Sequence, residues 1–408
     1  MNYIIFEDNQ THLLNPFTKL HASFEIRTGA YTNIERLMNE INEDDTIQIY
    51  AREEVKNILE SRFPNIEVNP KIYSPGICLN GKAIWNKKSI SEIKKEKIVV
   101  KKGVIIGFML KRNTSNEEFK TYIFKENSNT KDNSIHVMNY LWDIFKVLPY
   151  NISEDFKVIK RKLNITKSDI KSTNIHSSCH LINKDRMIIS ESSIISAGVV
   201  LDASNGPIII NENVFIDIGA LIKGPAYIGK NSIVNPGSKL RGSLSIGDFC
   251  KVGGELEDSI IHGYSNKQHD GYLGHSYLGE WVNLGANTNV SDLKNNYSTV
   301  SVMLNENLKV DTKKQFIGSF IGDFTATAIS TRFNTGTVVG VGANIFKDSF
   351  ESKYFPSFLW GDSEKVDLEK FIKRCKIVML RRDENMTKNL EERLRYLWHA
   401  SQFFKDKK

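Results

Sequence analysis

Through the middle of this chain an aliphatic residue recurs every six positions. Ile210, Ile216, Ile222, Ile228, Val234, Leu240, Ile246 and Val252 are eight consecutive hits, with Gly, Asn, Pro and Ser crowded between them. The series resumes at Leu278, Leu284 and Val290, and again at Ile321, Phe333, Val339 and Ile345, with Thr327 breaking it. A helical face repeats near 3.6 and a strand face at 2, so neither alone gives a strict six. A chain coiling as a triangular prism does, because each side is about six residues long and one inward aliphatic per side fills the axis. Chance alternation in a β-rich sandwich is the competing reading, and eight aliphatics in register weigh against it.

Outside this ladder the pattern changes. Residues 1–150 read as α/β: 3–6, 46–51 and 97–110 are strand-like, with amphipathic helices over 33–42 and 53–61 between them. Residues 151–186 are basic and weakly patterned, a connector. The prism occupies 187–348, interrupted between 253 and 271 and again between 289 and 315, and such loops are where solenoids build sites. The tail, 349–408, turns helical after Trp360-Gly361. Leu368, Phe371, Ile372, Cys375, Val378 and Met379 form one apolar stripe, and Leu390, Leu394 and Leu397 a second.

Composition narrows the class. The 408 residues are 40% hydrophobic and 25% charged, as in a globular protein of two or three domains. No apolar run approaches the roughly 18 residues that span a bilayer. Met1 to Phe6 lead straight into Glu7-Asp8, a first strand and not a signal peptide. Cys78, Cys179, Cys250 and Cys375 lie far apart, which fits a reducing cytoplasm and not a disulfide framework. The net charge of +7 is spread among interleaved Lys and Glu, and no nucleic-acid signature accompanies it.

The densest chemistry lies in 266–288, where His269, Tyr272, His275, Asn283 and Asn287 accompany the resumed ladder. A neutral imidazole with a pKa near 6.5 suits a general base. His269 is the candidate base and His275, six residues on, its rival. His262, His269 and His275 also have spacings imaginable for a three-histidine zinc site, as in hexapeptide β-helices of the γ-carbonic anhydrase type.

The residues His269, Tyr272, Leu273 and Gly274, then Asn283, Leu284, Gly285, Ala286 and Thr288, then Asn296 and Tyr297, resemble the acetyltransferase half of a known enzyme family. Its members are the bacterial bifunctional UDP-N-acetylglucosamine diphosphorylase/glucosamine-1-phosphate N-acetyltransferases. The closer likeness is to an alternative branch common in Bacteroidetes, which shares the run from His269 to Trp281 and the Pro-Ser-Phe-x-Trp-Gly of 356–361. The resemblance implies a nucleotidyltransferase-like, Rossmann-like α/β domain, a left-handed parallel β-helix and carboxy-terminal helices. It implies acetyl-CoA and Mg²⁺ as cofactors, hexosamine 1-phosphate and UTP as substrates, and a homotrimer. His269 would be the base in direct attack on acetyl-CoA. Tyr272 and Asn283 would hold the sugar phosphate, and Ala286, Asn296 and Tyr297 would face acetyl-CoA.

At the amino terminus Pro16, Thr18, Arg27 and Gly29 match the branch's Pro-Leu-Thr and Arg-x-Gly, but His21-Ala22 stands where it has Arg-Pro. By position Arg27 and Lys82 would contact phosphate, and Asp143 the metal or sugar. Losing one Arg from a phosphoryl-transfer site is severe, since such sites work by positioning and charge neutralisation. Two rival readings stay open: an enzyme making a different nucleotide sugar for a surface glycan, and a non-catalytic β-helix that binds a nucleotide sugar.

Overall fold

The computed structural model describes residues 1–95, 98–125, 135–164, 174–346 and 352–401. The chain divides into two units. Met1–Ile26, Tyr31–Asp143 and Thr387–Arg393 form the first, and Arg27–Ala30, Ile144–Met386 and Leu394–Lys408 the second.

In the first unit, strands β1 (Asn2–Phe6), β2 (Thr46–Tyr50) and β3 (Glu67–Val68) precede a two-residue β4 (Ile72–Tyr73). Then come β5 (Gly76–Asn80), β6 (Ile98–Lys101) and β7 (Val104–Leu110). The main sheet runs β3-β2-β1-β5-β7-β6, parallel from β3 to β5 and antiparallel at β7 and β6. Helices α1 (Asn33–Glu40), α2 (Glu53–Arg62), α3 (Lys87–Lys95) and α4 (Asn116–Ile123) complete the unit. Successive β1 side chains point to opposite faces. Ile5 packs with Leu37, Leu59 and Leu79 on one face, and Ile4 and Phe6 with Cys78, Phe108 and Phe119 on the other. A sheet covered on both faces needs apolar residues at every position, which is why β1 reads as a run and not an alternation.

The second unit carries helix α5 (Leu148–Lys162), then a left-handed parallel β-helix of strands two to four residues long and helix α6 (Leu368–Leu380), while helix α7 (Lys388–Ala400) begins in the first unit and ends in the second. Ile210 stacks on Ile228, and Ile228 on Ile246, eighteen residues apart. One turn is therefore three sides of six, and the ladder aliphatics are buried along the axis. A slip of one residue would turn every one of them outward, so burial fixes the register.

The two interruptions differ in kind. Between 253 and 271 no loop leaves the prism and the turn itself shortens. Val252 pairs with Lys267, fifteen residues on, and Leu256 with Leu273, seventeen on. The second interruption is a true excursion, carrying an antiparallel hairpin of Ser301–Asn305 and Leu308–Asp311.

The corners of the prism demand left-handed backbone. One row of corners begins with Asn213 and Asn231 at φ of 55° and 57°, a residue type that tolerates that region. The same row continues with Phe249, Tyr264, Trp281 and Phe324 at 57°, 55°, 61° and 58°. Bulky residues there cost on the order of 1–3 kcal/mol each. Their rings stack in succession, with centroids 5.2, 4.3 and 6.2 Å apart. Gly342 takes the next corner, and a Cβ there would lie 2.8 Å from the Phe371 ring, so its bare Cα leaves the seat for α6. The α6 stripe buries Phe371, Ile372, Cys375 and Met379, while Leu368 and Val378 are half-buried. Among the described residues no helix is long and apolar enough to cross a membrane.

Because Ile246 sits sealed between two turns, Ile246→Ala removes packing and leaves a void. The expected loss is about 2–5 kcal/mol in denaturant-induced unfolding. Ile218→Ala, at a side chain 61% exposed, serves as the control, with a change within about 0.5 kcal/mol.

Candidate active sites

In the first unit the strand order reverses at β1, whose sequence successor β2 lies on one side and β5 on the other. Ligand crevices of doubly wound sheets form at the carboxyl ends of such strands. Asp8 follows β1 there, and Asn80 and Lys82 close β5. Asn80 donates to Asp8 at 2.8 Å and the Lys82 ammonium lies 2.8 Å from the same carboxylate oxygen. Lys82 is fully buried. Asp143, the other residue assigned to this unit by sequence, accepts from the backbone N–H groups of Asn139 and Tyr140 through one oxygen. Its second oxygen has no hydrogen bond among the described residues.

Arg27 is counted with the second unit, where its guanidinium donates to the carbonyls of His262 and Ala30 and lies over the Tyr227 ring. Buried and donating from Nε and Nη1 to backbone carbonyls, this guanidinium ties its loop to the prism. His21 is also buried, stacked on Phe17 at 4.3 Å. Arg62, from the end of α2, reaches its imidazole at 3.0 Å and the Glu25 carboxylate at 2.8 Å. Burial raises the Glu25 pKa, but Arg62 and His21 outweigh it and hold the carboxyl at about 2. The loop therefore acquires a guanidinium from a helix 41 residues away. Sequence reading also passed over Lys19, half-buried, whose pKa is lowered by burial and then by Arg393 and Arg52.

In the second unit His269 lies exposed at a corner between Asn266–Lys267 and Tyr272–Gly274, with no side-chain partner among the described residues. Asn283 is exposed on the side that carries Asn266, whose amide donates to it at 3.2 Å. Gln268 and Asn283 line one cavity of about 370 Å³. Ala286, half-buried, stands before the next corner on the His269 edge, its carbonyl accepting from Ser330 at 2.7 Å.

Tyr272 points elsewhere. Its hydroxyl donates to Asp292 at 2.9 Å, and the same carboxylate oxygen sits 2.8 Å from His275 Nδ1. Burial first, then Asp292, pushes the Tyr272 phenol well above its ordinary 10. Asp258 lies 3.7 Å from His275 Nε2, and the ring stacks on Phe316 at 5.3 Å. Asn296 and Tyr297 are on the excursion. Asn296 borders a shallow hollow of about 470 Å³ with Lys294, Asn334 and Lys353, and Tyr297 is 67% exposed. The structure thus brings His269, Asn283 and Ala286 to one side of the prism. It pairs Tyr272 with His275, and leaves Asn296 and Tyr297 on the excursion. The imagined zinc set is not assembled: His275 is engaged with Asp292, and His262 Nδ1 lies 3.1 Å from the Tyr277 hydroxyl.

Lys267 is the residue that sequence reading missed. It fills the inward position over Val252, fully buried, and its ammonium donates to the carbonyls of Gly253 at 3.1 Å, His269 at 2.6 Å and Asp270 at 3.3 Å. The amine thereby holds the corner that presents His269. Burial lowers its pKa from 10.5 to about 8. No signal in the six-residue count marked it, because Lys267 lies fifteen residues, not eighteen, after Val252.

Residues 3–164 match the family model described as Sugar nucleotidyl transferase. The chain is also similar to the bifunctional protein GlmU of Methanococcus aeolicus, 36% identical over 109 residues covering 24% of this chain and 26% of that protein. It is 28% identical to GlmU of Buchnera aphidicola over 114 residues, covering 28% and 21% respectively. A bifunctional sugar-1-phosphate nucleotidylyltransferase/acetyltransferase of Sulfurisphaera tokodaii is 33% identical over 92 residues, covering 22% and 23%. The chain thus spans about a quarter of the length of the curated relatives it matches. A solved structure of a UDP-N-acetylglucosamine acyltransferase aligns over 47% of this chain and 70% of its own, at 18% identity and a TM-score of 0.25.

An amine whose folded pKa lies below its unfolded value opposes folding while it is protonated. In that window the unfolded chain binds more protons, so Lys267 makes stability rise with pH between about 8 and 10.5. Its slope is at most about 1.4 kcal/mol per pH unit. Urea unfolding of Lys267→Met against the parent at pH 7 to 10 should show that slope vanish in the variant; equal slopes remove the buried amine from the account.

Proposed function

We propose that this chain is a two-site enzyme of nucleotide-sugar synthesis in the cytoplasm, acetylating a hexosamine 1-phosphate and then activating the product with UTP to UDP-N-acetylglucosamine. The observation that carries this reading is the joining of two things in one chain. A domain matching the sugar nucleotidyl transferase model precedes a β-helix that presents His269, Asn283 and Ala286 on one side.

For acetyl transfer, the sugar amine attacks the thioester carbonyl of acetyl-CoA and the carbon–sulfur bond breaks. His269 takes the proton from the nitrogen, and the CoA thiolate leaves and is protonated. An exposed imidazole at a rigid corner, without a side-chain partner among the described residues, leaves both ring nitrogens open to substrate. His275 is less suited, since Asp292 holds one nitrogen and Asp258 lies near the other. Asn283 orients the acceptor. Asn296, in the hollow with Lys294 and Lys353, faces the phosphate-rich end of acetyl-CoA, with Ala286 and Tyr297 along its path. The sides of one prism diverge, so residues on different sides meet over one substrate only across neighbouring copies. A homotrimer provides that arrangement, and light scattering should give three times the 46.5 kDa chain.

For nucleotidyl transfer, a sugar phosphate oxygen attacks the α-phosphorus of UTP and pyrophosphate leaves. Lys19 and Lys82 supply positive charge near the phosphates, and Arg62 stands in for the arginine that His21-Ala22 replaces. Mg²⁺ is held through few carboxylates and the substrate's own phosphates. The open oxygen of Asp143 fits such a role, whereas Asp8 is already taken by Gln10, Asn80 and Lys82. The ion would neutralise phosphate charge.

The test is incubation with glucosamine 1-phosphate, acetyl-CoA, Mg²⁺ and each nucleoside triphosphate separately, following free CoA and pyrophosphate. Release of both, with pyrophosphate for UTP alone, is the expected result. CoA without pyrophosphate means that the first site is lost, and neither product overturns the reading. His269→Ala should lower CoA release by roughly 10²–10⁴-fold at an unchanged melting temperature. Loss in His275→Ala with His269→Ala intact would transfer the role to His275.

A further inference from the structure

The cavity beside Asn283 has a composition that the fold alone does not require. Its floor is the outer side of the prism, with Lys251, Asn266, Gln268 and Asn283; its wall is the aromatic corner of Tyr264, Trp281 and Phe324; its roof is α6 with Arg374, Arg381 and Arg382. Four cations line it and, among the described residues, no carboxylate does. Glu384, just past the helix, is engaged by the Tyr264 hydroxyl at 3.0 Å.

Like charges gathered in a half-buried pocket repel one another, and that cost needs a return. Arg374 is accounted for structurally, because it donates to Asn344 at 2.9 Å and to the Phe324 carbonyl at 2.7 Å, tying α6 to the corner. The other three are not spent in this way. Arg382 donates to the Asn266 amide oxygen at 3.1 Å, a neutral acceptor that aims the fork without cancelling its charge. Burial, and then Arg381, disfavour its charged form. Arg381 and Lys251 have no carboxylate partner among the described residues. The strained aromatics serve the same end, since stacked rings at positive φ make a stiff wall against which the helix is fixed. A volume of about 370 Å³ is at the small end of the roughly 300–1,000 Å³ typical of small-molecule sites.

We propose that this cavity is a phosphomonoester site in which Arg381 and Arg382 at the end of α6, with Lys251 opposite, grip the dianion. Planar forks and an ammonium match its three terminal oxygens. Resting on the acetyltransferase reading, the ligand is the acceptor hexosamine 1-phosphate, with Asn283 beside its sugar. The carboxy-terminal helix then selects phosphorylated over free amino sugar.

The test is calorimetric binding to the full-length protein without acetyl-CoA, using glucosamine 1-phosphate, free glucosamine, inorganic phosphate and adenosine 3′,5′-bisphosphate as probes. Glucosamine 1-phosphate should bind, and free glucosamine should not. Arg381→Ala and Lys251→Ala, at surface side chains whose loss spares the fold, should each weaken binding about tenfold to a hundredfold. Arg382→Lys should retain part of the affinity. Tighter binding of the adenosine bisphosphate, with the same sensitivity to Arg381→Ala, keeps the anion site and overturns the acceptor's place in it. Binding unchanged in all three variants overturns the site, even if CoA is still released in turnover. Binding that follows the prediction without CoA release leaves the site standing and removes the acetyltransferase reading instead.

Discussion

The eighteen-residue turn is the constraint on which the second unit depends. Its strands are too short to hold a sheet by their own hydrogen bonds, so the axis must be filled by one apolar side chain per side in every turn. That requirement fixes register, spaces the corners and decides which positions are free to face solvent. Chemistry can enter only where the turn departs from it. Two sides shorten there, bringing Leu256 and Ile261 inward ahead of the six-residue register, and the next inward position, over Val252, is taken by an amine. A buried ammonium needs acceptors, and the carbonyls of the adjacent corner are the ones within reach. Burying the lysine and presenting His269 are therefore one event in the chain.

The aromatic corners show the same economy in reverse. Left-handed corners favour Asn or Gly, and the early turns use Asn213 and Asn231. Phe249, Tyr264, Trp281 and Phe324 accept backbone strain in exchange for ring stacking, worth about 0.5–1.5 kcal/mol per pair beyond burial. Stacking does not fully offset the strain. What the row adds is a flat, rigid flank where α6 docks through Phe371 and Arg374, and the cationic cavity exists only because that helix is held there.

How much of this was legible follows from the range of each interaction. The ladder, the α/β region and both helical stripes were readable because their periods lie within a few residues. The first interruption was misread as a loop because two shortened sides put the inward Leu256 and Ile261 off the six-residue count. His269 and Tyr272 looked like neighbours in one motif, yet Gly271 at φ 115° turns the chain between them and sends them to different sides. Arg27 carried the right chemistry for phosphate, but its partner carbonyl belongs to His262, 235 residues away, and no local pattern records that. The aromatic row escaped for the same reason, its members being 15, 17 and 43 residues apart.

A rigid solenoid also limits what one chain can do alone. His269 stands at a corner whose backbone Lys267 ties down, and the Tyr272–Asp292–His275 group at another edge is held by hydrogen bonds and stacking. Convergence on one substrate must then come from outside the single prism, through a docked helix or a second copy. Helix α6 supplies the first route, adding cations to a side whose own strands offer mainly amides. The excursion over 292–318 carries Asn296 and Lys294, which border a hollow with Asn334 and Lys353. A fold this stiff gains an active site by what is laid against it.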